Sequence, residues 1–141
     1  MDERDHALIN LLERNAREPV SSLARKLGLS RSTVQDRIDK LETTGVITGY
    51  TVRTGTSFRN RRLTAYVMLE VDPQHADRVV KAMEAIRPVS RLRAVSGMYD
   101  LVATVRTDTP EELDGAFEQI RRIPGITADT SSIVLSTKFD R

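Results

Sequence analysis

The 141-residue chain has no cysteine, no tryptophan and only two histidines, His6 and His75. Without thiols it can form no disulfide and run no thiol chemistry, a usage that fits the cytoplasm. Without cysteine, two histidines are too few for a structural zinc site, so no metal or other cofactor is expected. No stretch approaches the roughly 18 consecutive apolar residues of a membrane-spanning helix. The opening residues MDERDHALINLL carry acids where an export signal carries a basic region, so neither export nor a membrane partner is expected. What remains is a composition of 39% hydrophobic and 30% charged residues, suited to a globular chain of one ordinary domain or two small ones.

The most informative stretch is residues 20–44, VSSLARKLGLSRSTVQDRIDKLETT. Leu23, Ala24 and Leu27 give helical apolar spacing, and Gly28 follows where a helix end commonly turns left-handed. Leu29 can enter a core, and Ser30 is suited to cap the next helix through its hydroxyl. Val34, Ile38 and Leu41 recur at i, i+4 and i+7, a single helical stripe. Arg31, Ser32, Gln35, Asp36, Asp39 and Thr43 are left on or near the other side. Two short helices around a glycine turn form a helix-turn-helix, whose second helix can enter a DNA major groove. Many such hairpins bind nothing, so the flanks matter. Residues 46–53, VITGYTVR, read as a short β-ribbon, a wing beside the hairpin. Charge is also uneven. Residues 1–62 hold 12 Lys/Arg and 8 Asp/Glu, net +4, and residues 63–141 hold 10 and 12, net −2, so the basic half contains the hairpin.

Residues 2–16 read as a first helix, capped by Asp2, with Leu8, Leu11 and Leu12 as its stripe and Ile9 widening it. Pro19 separates it from the hairpin. Residues 52–62, VRTGTSFRNRR, read as a hinge in which Arg59, Arg61 and Arg62 are either solvated or extra phosphate contacts. From residue 63 the pattern is strand, helix, strand, strand, helix, strand. LTAYVMLEV alternates Leu63, Ala65, Val67, Leu69 and Val71 against Tyr66 and Met68. Ala76, Val79, Val80, Met83 and Ile86 form a helical stripe before Pro88. Residues 89–96 and 99–105 are the middle strands. Pro110 opens a second helix striped by Leu113, Ala116, Phe117, Ile120 and Ile123. The last strand falls within 126–138, around Ile133, Val134 and Leu135. The order βαββαβ is the ferredoxin-like split βαβ arrangement, so the fold class is α+β. Both helices cover one sheet face, yet Tyr66, Met68, Val102 and Val134 are apolar on the other. An open apolar face predicts a second copy packed sheet on sheet, a homodimer.

Several runs together resemble one family. They are Asp2-xx-Asp5 with Leu8, Ile9 and Leu12; Leu23-Ala24; Gly28-Leu29-Ser30-x-Ser32-Thr33-Val34-xx-Arg37-Ile38-xx-Leu41; Gly45-Val46-Ile47-x-Gly49-Tyr50; Gly97-Met98-Tyr99-Asp100; and Ile123-Pro124-Gly125-Ile126. In this order and spacing the chain resembles the Lrp/AsnC (feast/famine) transcriptional regulators over nearly its whole length. The resemblance implies a helix-turn-helix over 1–51, a hinge over 52–62, and a ferredoxin-like domain over 63–141 that dimerises. It also implies higher assemblies, such as tetramers or octamers, and an amino-acid effector bound between subunits. One departure stands out: members often carry Leu-Gly just before the first strand of the second domain, where this chain has Asn60-Arg61-Arg62-Leu63.

Bringing the two readings together, the helix starting at Ser30 should put its first turns into the major groove of double-stranded DNA. Arg31, Ser32, Gln35 and Asp36 are candidates for base edges, since Arg can grip guanine and Gln adenine bidentately. Thr33, Arg37 and Lys40, with Arg25 and Lys26, are candidates for phosphates. Arg37 could instead form a surface ion pair with Asp36 or Glu42. At the other end, the resemblance puts Gly97, Met98, Tyr99 and Asp100 beside an effector pocket. Backbone N–H groups there can hold a carboxylate and Asp100 an ammonium, unless Gly97 merely makes the turn and Asp100 caps it. Thr130, Ser131 and Ser132 are further polar candidates. Siroheme decarboxylases resemble the same two-domain architecture, but this chain lacks Cys and Trp and has only His75 in its second half, so no catalytic residue is expected. An architectural DNA-compacting protein would share the first 62 residues' chemistry and differ in specificity.

Overall fold

In a computed structural model, which describes residues 1–59 and 61–141, the chain forms two compact units, Met1–Arg53 and Thr54–Arg141. Asn60, part of the expected hinge, lies outside the described residues.

The first unit is three helices. In α1 (Glu3–Arg14), Asp2 Oδ1 accepts from the Asp5 N–H at 2.9 Å and Asp5 Oδ2 accepts from the Asp2 N–H at 3.1 Å. This reciprocal pair satisfies two amide donors, one of them an orphan at the helix start. Pro19 precedes α2 (Val20–Leu27), which ends at Gly28 with φ 65°, a left-handed backbone that costs glycine little. Leu29 N–H then returns to Ala24 O at 2.9 Å, closing the turn. Ser30 caps α3 (Arg31–Thr43), its Oγ accepting from the Thr33 N–H at 3.2 Å. Leu8, Leu12, Leu23, Ala24, Val34, Ile38 and Leu41 form one core, with Leu29 and Ile47 packed against it. Each large aliphatic side chain buried there contributes about 1.5–3 kcal/mol.

The ribbon expected over 46–53 is corrected by the structure, which has no strand there. A strand needs a ladder partner, and the chain supplies none beside this segment among the described residues. Instead, the Ile47 N–H donates to Leu41 O at 2.9 Å and the Tyr50 hydroxyl to Glu42 Oε1 at 2.7 Å, docking the segment on α3.

The second unit opens with a one-turn helix, α4 (Thr56–Arg59), inside the stretch read as hinge. Then follow β1 (Leu63–Val71), α5 (Ala76–Glu84), β2 (Val89–Ala94), β3 (Leu101–Thr107), α6 (Pro110–Arg121) and β4 (Ile126–Ile133). The antiparallel sheet runs β2-β3-β1-β4, the ferredoxin-like order. Ala65, Val67, Leu69, Ala103 and Val105 form one core with Val79 and Met83 of α5 and Leu113, Ala116 and Ile120 of α6. Two details depart from simple alternation. A register shift between Val89 and Arg91 puts Val89 on the helix side with Leu92, where alternation puts it with Arg91 and Arg93. The last strand also ends at Ile133, leaving Leu135 beyond it and almost fully exposed.

The opposite sheet face carries Tyr66, Met68 and Val102, together with Arg91, Arg93 and Thr104, by the pairing register. Tyr66 is exposed and Met68 and Val102 half-buried, so an apolar strip lies open between charged neighbours. Two cores predict two separable sensitivities. Leu8→Ala, at a side chain with no exposure, should destabilise Met1–Arg53 by roughly 2–5 kcal/mol, and Met83→Ala should do the same to Thr54–Arg141. Urea titration followed by amide signals of each unit checks this; equal shifts in both units for either variant would contradict it.

Candidate nucleic-acid interface and effector turn

At 3.6 residues per turn, Ser32 and Asp36 lie roughly opposite the Val34, Ile38 and Leu41 stripe of α3. Arg31, Ser32, Gln35, Asp36 and Lys40 are all exposed, and Thr33 is partly so. Ser30 Oγ is engaged at the cap, sharing hydrogen bonds with Thr33 Oγ1 at 2.7 Å and Ser32 Oγ at 3.2 Å. These hydroxyls therefore stiffen the first turn. Gln35 Nε2 donates to Asp39 Oδ1 at 2.8 Å, which fixes the amide plane while leaving its oxygen and second N–H outward.

The five basic candidates divide. Among the described residues, Arg25, Arg31 and Lys40 form no ion pair within the chain, and all three are exposed. Lys26 pairs with Glu18, which also accepts from the Ser22 hydroxyl at 2.7 Å. Lys26 first, and Ser22 second, hold the Glu18 carboxyl below its ordinary range. Arg37 departs from expectation, since neither Asp36 nor Glu42 is its partner. Its Nη1 donates to Asp2 at 2.9 and 2.8 Å and to Asp5 Oδ1 at 2.7 Å, joining α3 to the start of α1. Its side chain is only a quarter exposed. A position about 60–70° from the centre of the apolar stripe explains this: the side chain leaves α3 at the edge of the core, beside α1. Nothing in the spacing of Asp2, Asp5 and Arg37 shows the contact, because it bridges more than 30 residues.

That cluster controls the local charge. The Arg37 guanidinium, and then the Asp5 N–H, lower the Asp2 pKa from 3.8 to about 2. Asp5 is lowered by the Asp2 N–H and then by Arg37, and Arg37 is raised by both acids.

In the second unit, the turn between β2 and β3 folds over the end of β1. Gly97 has φ 108°. Asp100 N–H donates to Leu69 O at 2.8 Å, and Asp100 Oδ2 accepts from Val71 N–H at 2.8 Å. One carboxylate oxygen thus caps a strand end, while the residue stays exposed. Tyr99 and Thr130 share a hydrogen bond of 2.7 Å between their hydroxyls, which brings the turn to β4. Met98 is largely exposed. The three β4 candidates do not converge. Thr130 and Ser132 pair with Met68 and Tyr66 on the open face, whereas Ser131 pairs with Val67 on the helix-covered face. Strand alternation, readable from the sequence, separates them. Among the described residues, no group of His, Cys, Asp and Glu could hold a metal, and no helix is long and apolar enough to cross a membrane.

The Asp2–Arg37 pair makes acid stability testable. Asp2 falls from 3.8 unfolded to about 2 folded, so its contribution is complete above roughly pH 5 and fades as pH drops toward 2. Arg37→Ala should flatten this limb of the unfolding curve and return the Asp2 carboxyl toward its ordinary range, read by its carbon chemical shift. An unchanged titration would remove the pair from the account.

Family models match both halves: an AsnC-type helix-turn-helix domain over residues 1–42 and an Lrp/AsnC ligand binding domain over residues 64–141. The chain is 28% identical over 137 residues to the HTH-type transcriptional regulator FL11 of Pyrococcus abyssi, covering 97% of this chain and 91% of that one. It is 31% identical over 140 residues to the HTH-type transcriptional regulator LysM of Sulfurisphaera tokodaii, covering 99% and 98%. The solved Leucine response regulatory protein (LrpA) of Mycobacterium tuberculosis superposes with a TM-score of 0.81 at 30% identity, covering 99% of this chain and 96% of that one. With both domains matched in order, the chain belongs to the Lrp/AsnC family of helix-turn-helix transcriptional regulators.

Proposed function

We propose that the protein is a sequence-specific DNA-binding regulator that acts as a homodimer and responds to an amino acid or related small molecule. The observation that carries the DNA part is α3 itself. It is capped at Ser30, buried along Val34, Ile38 and Leu41, and exposed along Arg31, Ser32, Gln35 and Asp36. A helix held on one side with polar side chains on the other can read base edges from its first turns. Gln35 suits adenine, because its braced amide retains one donor and one acceptor. Arg31 suits guanine. Arg25 and Lys40 supply phosphate contacts. Two protomers joined through the open sheet face, around Tyr66, Met68 and Val102, would present two such helices to a pseudo-palindromic site.

The ligand part rests on the second family model and on the turn at residues 97–100. There a Gly97 turn, an exposed Asp100 and the Tyr99–Thr130 hydroxyl pair lie at one end of the sheet. That grouping suits an amino acid, with its carboxylate on backbone N–H groups and its ammonium on Asp100. Asp36 and Asp39 on the outer face of α3 weigh against indiscriminate DNA compaction, because they repel phosphate where bases are not matched.

The test is selection of bound genomic fragments by purified protein at fixed salt, with and without a mixture of amino acids. A pseudo-palindromic consensus that shifts with the mixture is expected; a broad pool indifferent to it would support compaction instead. If Arg25 and Lys40 of two protomers neutralise about four phosphates, the log–log dependence of affinity on salt should have a slope of roughly −3.6. Light scattering at micromolar concentration should give at least twice the 15.8 kDa chain mass. Asp100→Ala should abolish the response to the mixture while DNA binding persists.

A further inference from the structure

We infer that Arg37 is a positioning residue that sets the rotation of α3 about its own axis through Asp2 and Asp5, and that it does not contact phosphate. The inference rests on the DNA reading above. Three observations carry it. Arg37 Nη1 lies between two carboxylates at 2.7–2.9 Å, so its charge is already answered. The side chain is three-quarters buried and its Nε is enclosed, so the group lies against the protein rather than reaching into solvent. The acceptors are themselves fixed, because Asp2 and Asp5 are the reciprocal cap of α1.

The need for such a contact follows from the rest of the interface. The apolar stripe holds α3 by burial, which is not directional and tolerates small rotations and slides. Charge-assisted hydrogen bonds are directional and short. One at the edge of the stripe fixes the angle at which Arg31, Ser32, Gln35 and Asp36 face outward. A few degrees of roll moves a side-chain tip by enough to lose a bidentate base contact, while phosphate contacts by flexible Arg25 and Lys40 adapt. Arg37 should therefore govern discrimination between sequences and leave general attraction to DNA intact.

The experiment uses the full chain with two duplexes of equal length: one recovered in the genomic selection, the other of mixed sequence. Affinities are measured across a salt series for wild type, Arg37→Ala, Arg37→Lys and the double variant Asp2→Asn/Asp5→Asn. Asparagine caps helices as well as aspartate, so the double variant keeps α1 while removing both charges. Arg37→Ala and the double variant should each lower the ratio of selected to mixed-sequence affinity by about tenfold, with Arg37→Lys intermediate. For Arg37→Ala the salt slope should stay at the wild-type value, and mixed-sequence affinity should move far less than affinity for the selected duplex. Combining Arg37→Ala with the double variant should add little further loss. The inference fails if Arg37→Ala reduces the slope by about 2 per dimer, since that result marks Arg37 as a phosphate contact. It fails equally if both affinities drop together, the mark of a fold defect, or if the ratio does not move. A wild-type protein that binds neither duplex would instead refute the DNA reading directly, and the inference with it.

Discussion

The burial of Val34, Ile38 and Leu41 is the constraint on which the first unit depends. These three side chains commit one side of α3 to the core, and α1 and α2 exist around them as the surfaces that complete it. A unit of this size buries limited apolar area, so little is left over for irregular loops. Hence the connections are short and hydrogen-bonded: Gly28 closes one turn, Ser30 opens the next helix, and Ile47 brings the chain back to Leu41. What faces outward on α3 is the remainder after packing has taken its share, and its residue types then decide what the unit can recognise.

Electrostatics in the same unit sorts its cations into two jobs. Lys26 and Arg37 are held by Glu18, Asp2 and Asp5, and serve the architecture. Arg25, Arg31 and Lys40 face solvent without internal partners among the described residues. The net positive charge of the first 62 residues therefore overstates what a polyanion meets at close range, although all of it contributes at long range.

Local patterns in the sequence carried most of the fold. Ser30 before Arg31, the i, i+4, i+7 stripe and the alternation in LTAYVMLEV each depend on neighbours a few residues away, and all fall where the spacing puts them. Residues 46–53 look like strand by composition, but strand formation needs a second segment, and composition says nothing about one. Arg37 was visible as a cation on a helix; its partners were not, since which edge of α3 meets α1 is decided by packing of the whole unit. At the turn of residues 97–100, Tyr99 and Thr130 are far apart in sequence, and their contact across β1 follows only from the strand order. Ser131 shows the opposite case, where alternation alone would have separated it from Thr130 and Ser132.

The irregularity in β2 bears on how this domain tolerates change in length. Ser90 is the extra residue of the shift between Val89 and Arg91, and its hydroxyl donates to Thr104 O at 3.2 Å. A strand normally cannot gain or lose one residue without turning every later side chain to the wrong side. Here the surplus residue absorbs that parity, so Val89 and Leu92 both reach the covered face while Arg91 and Arg93 stay on the open one. Loss of Ser90 would leave a regular strand with the same inside and outside. The start of β2 is thus a place where an evolving lineage can drop a residue and keep both surfaces of the sheet.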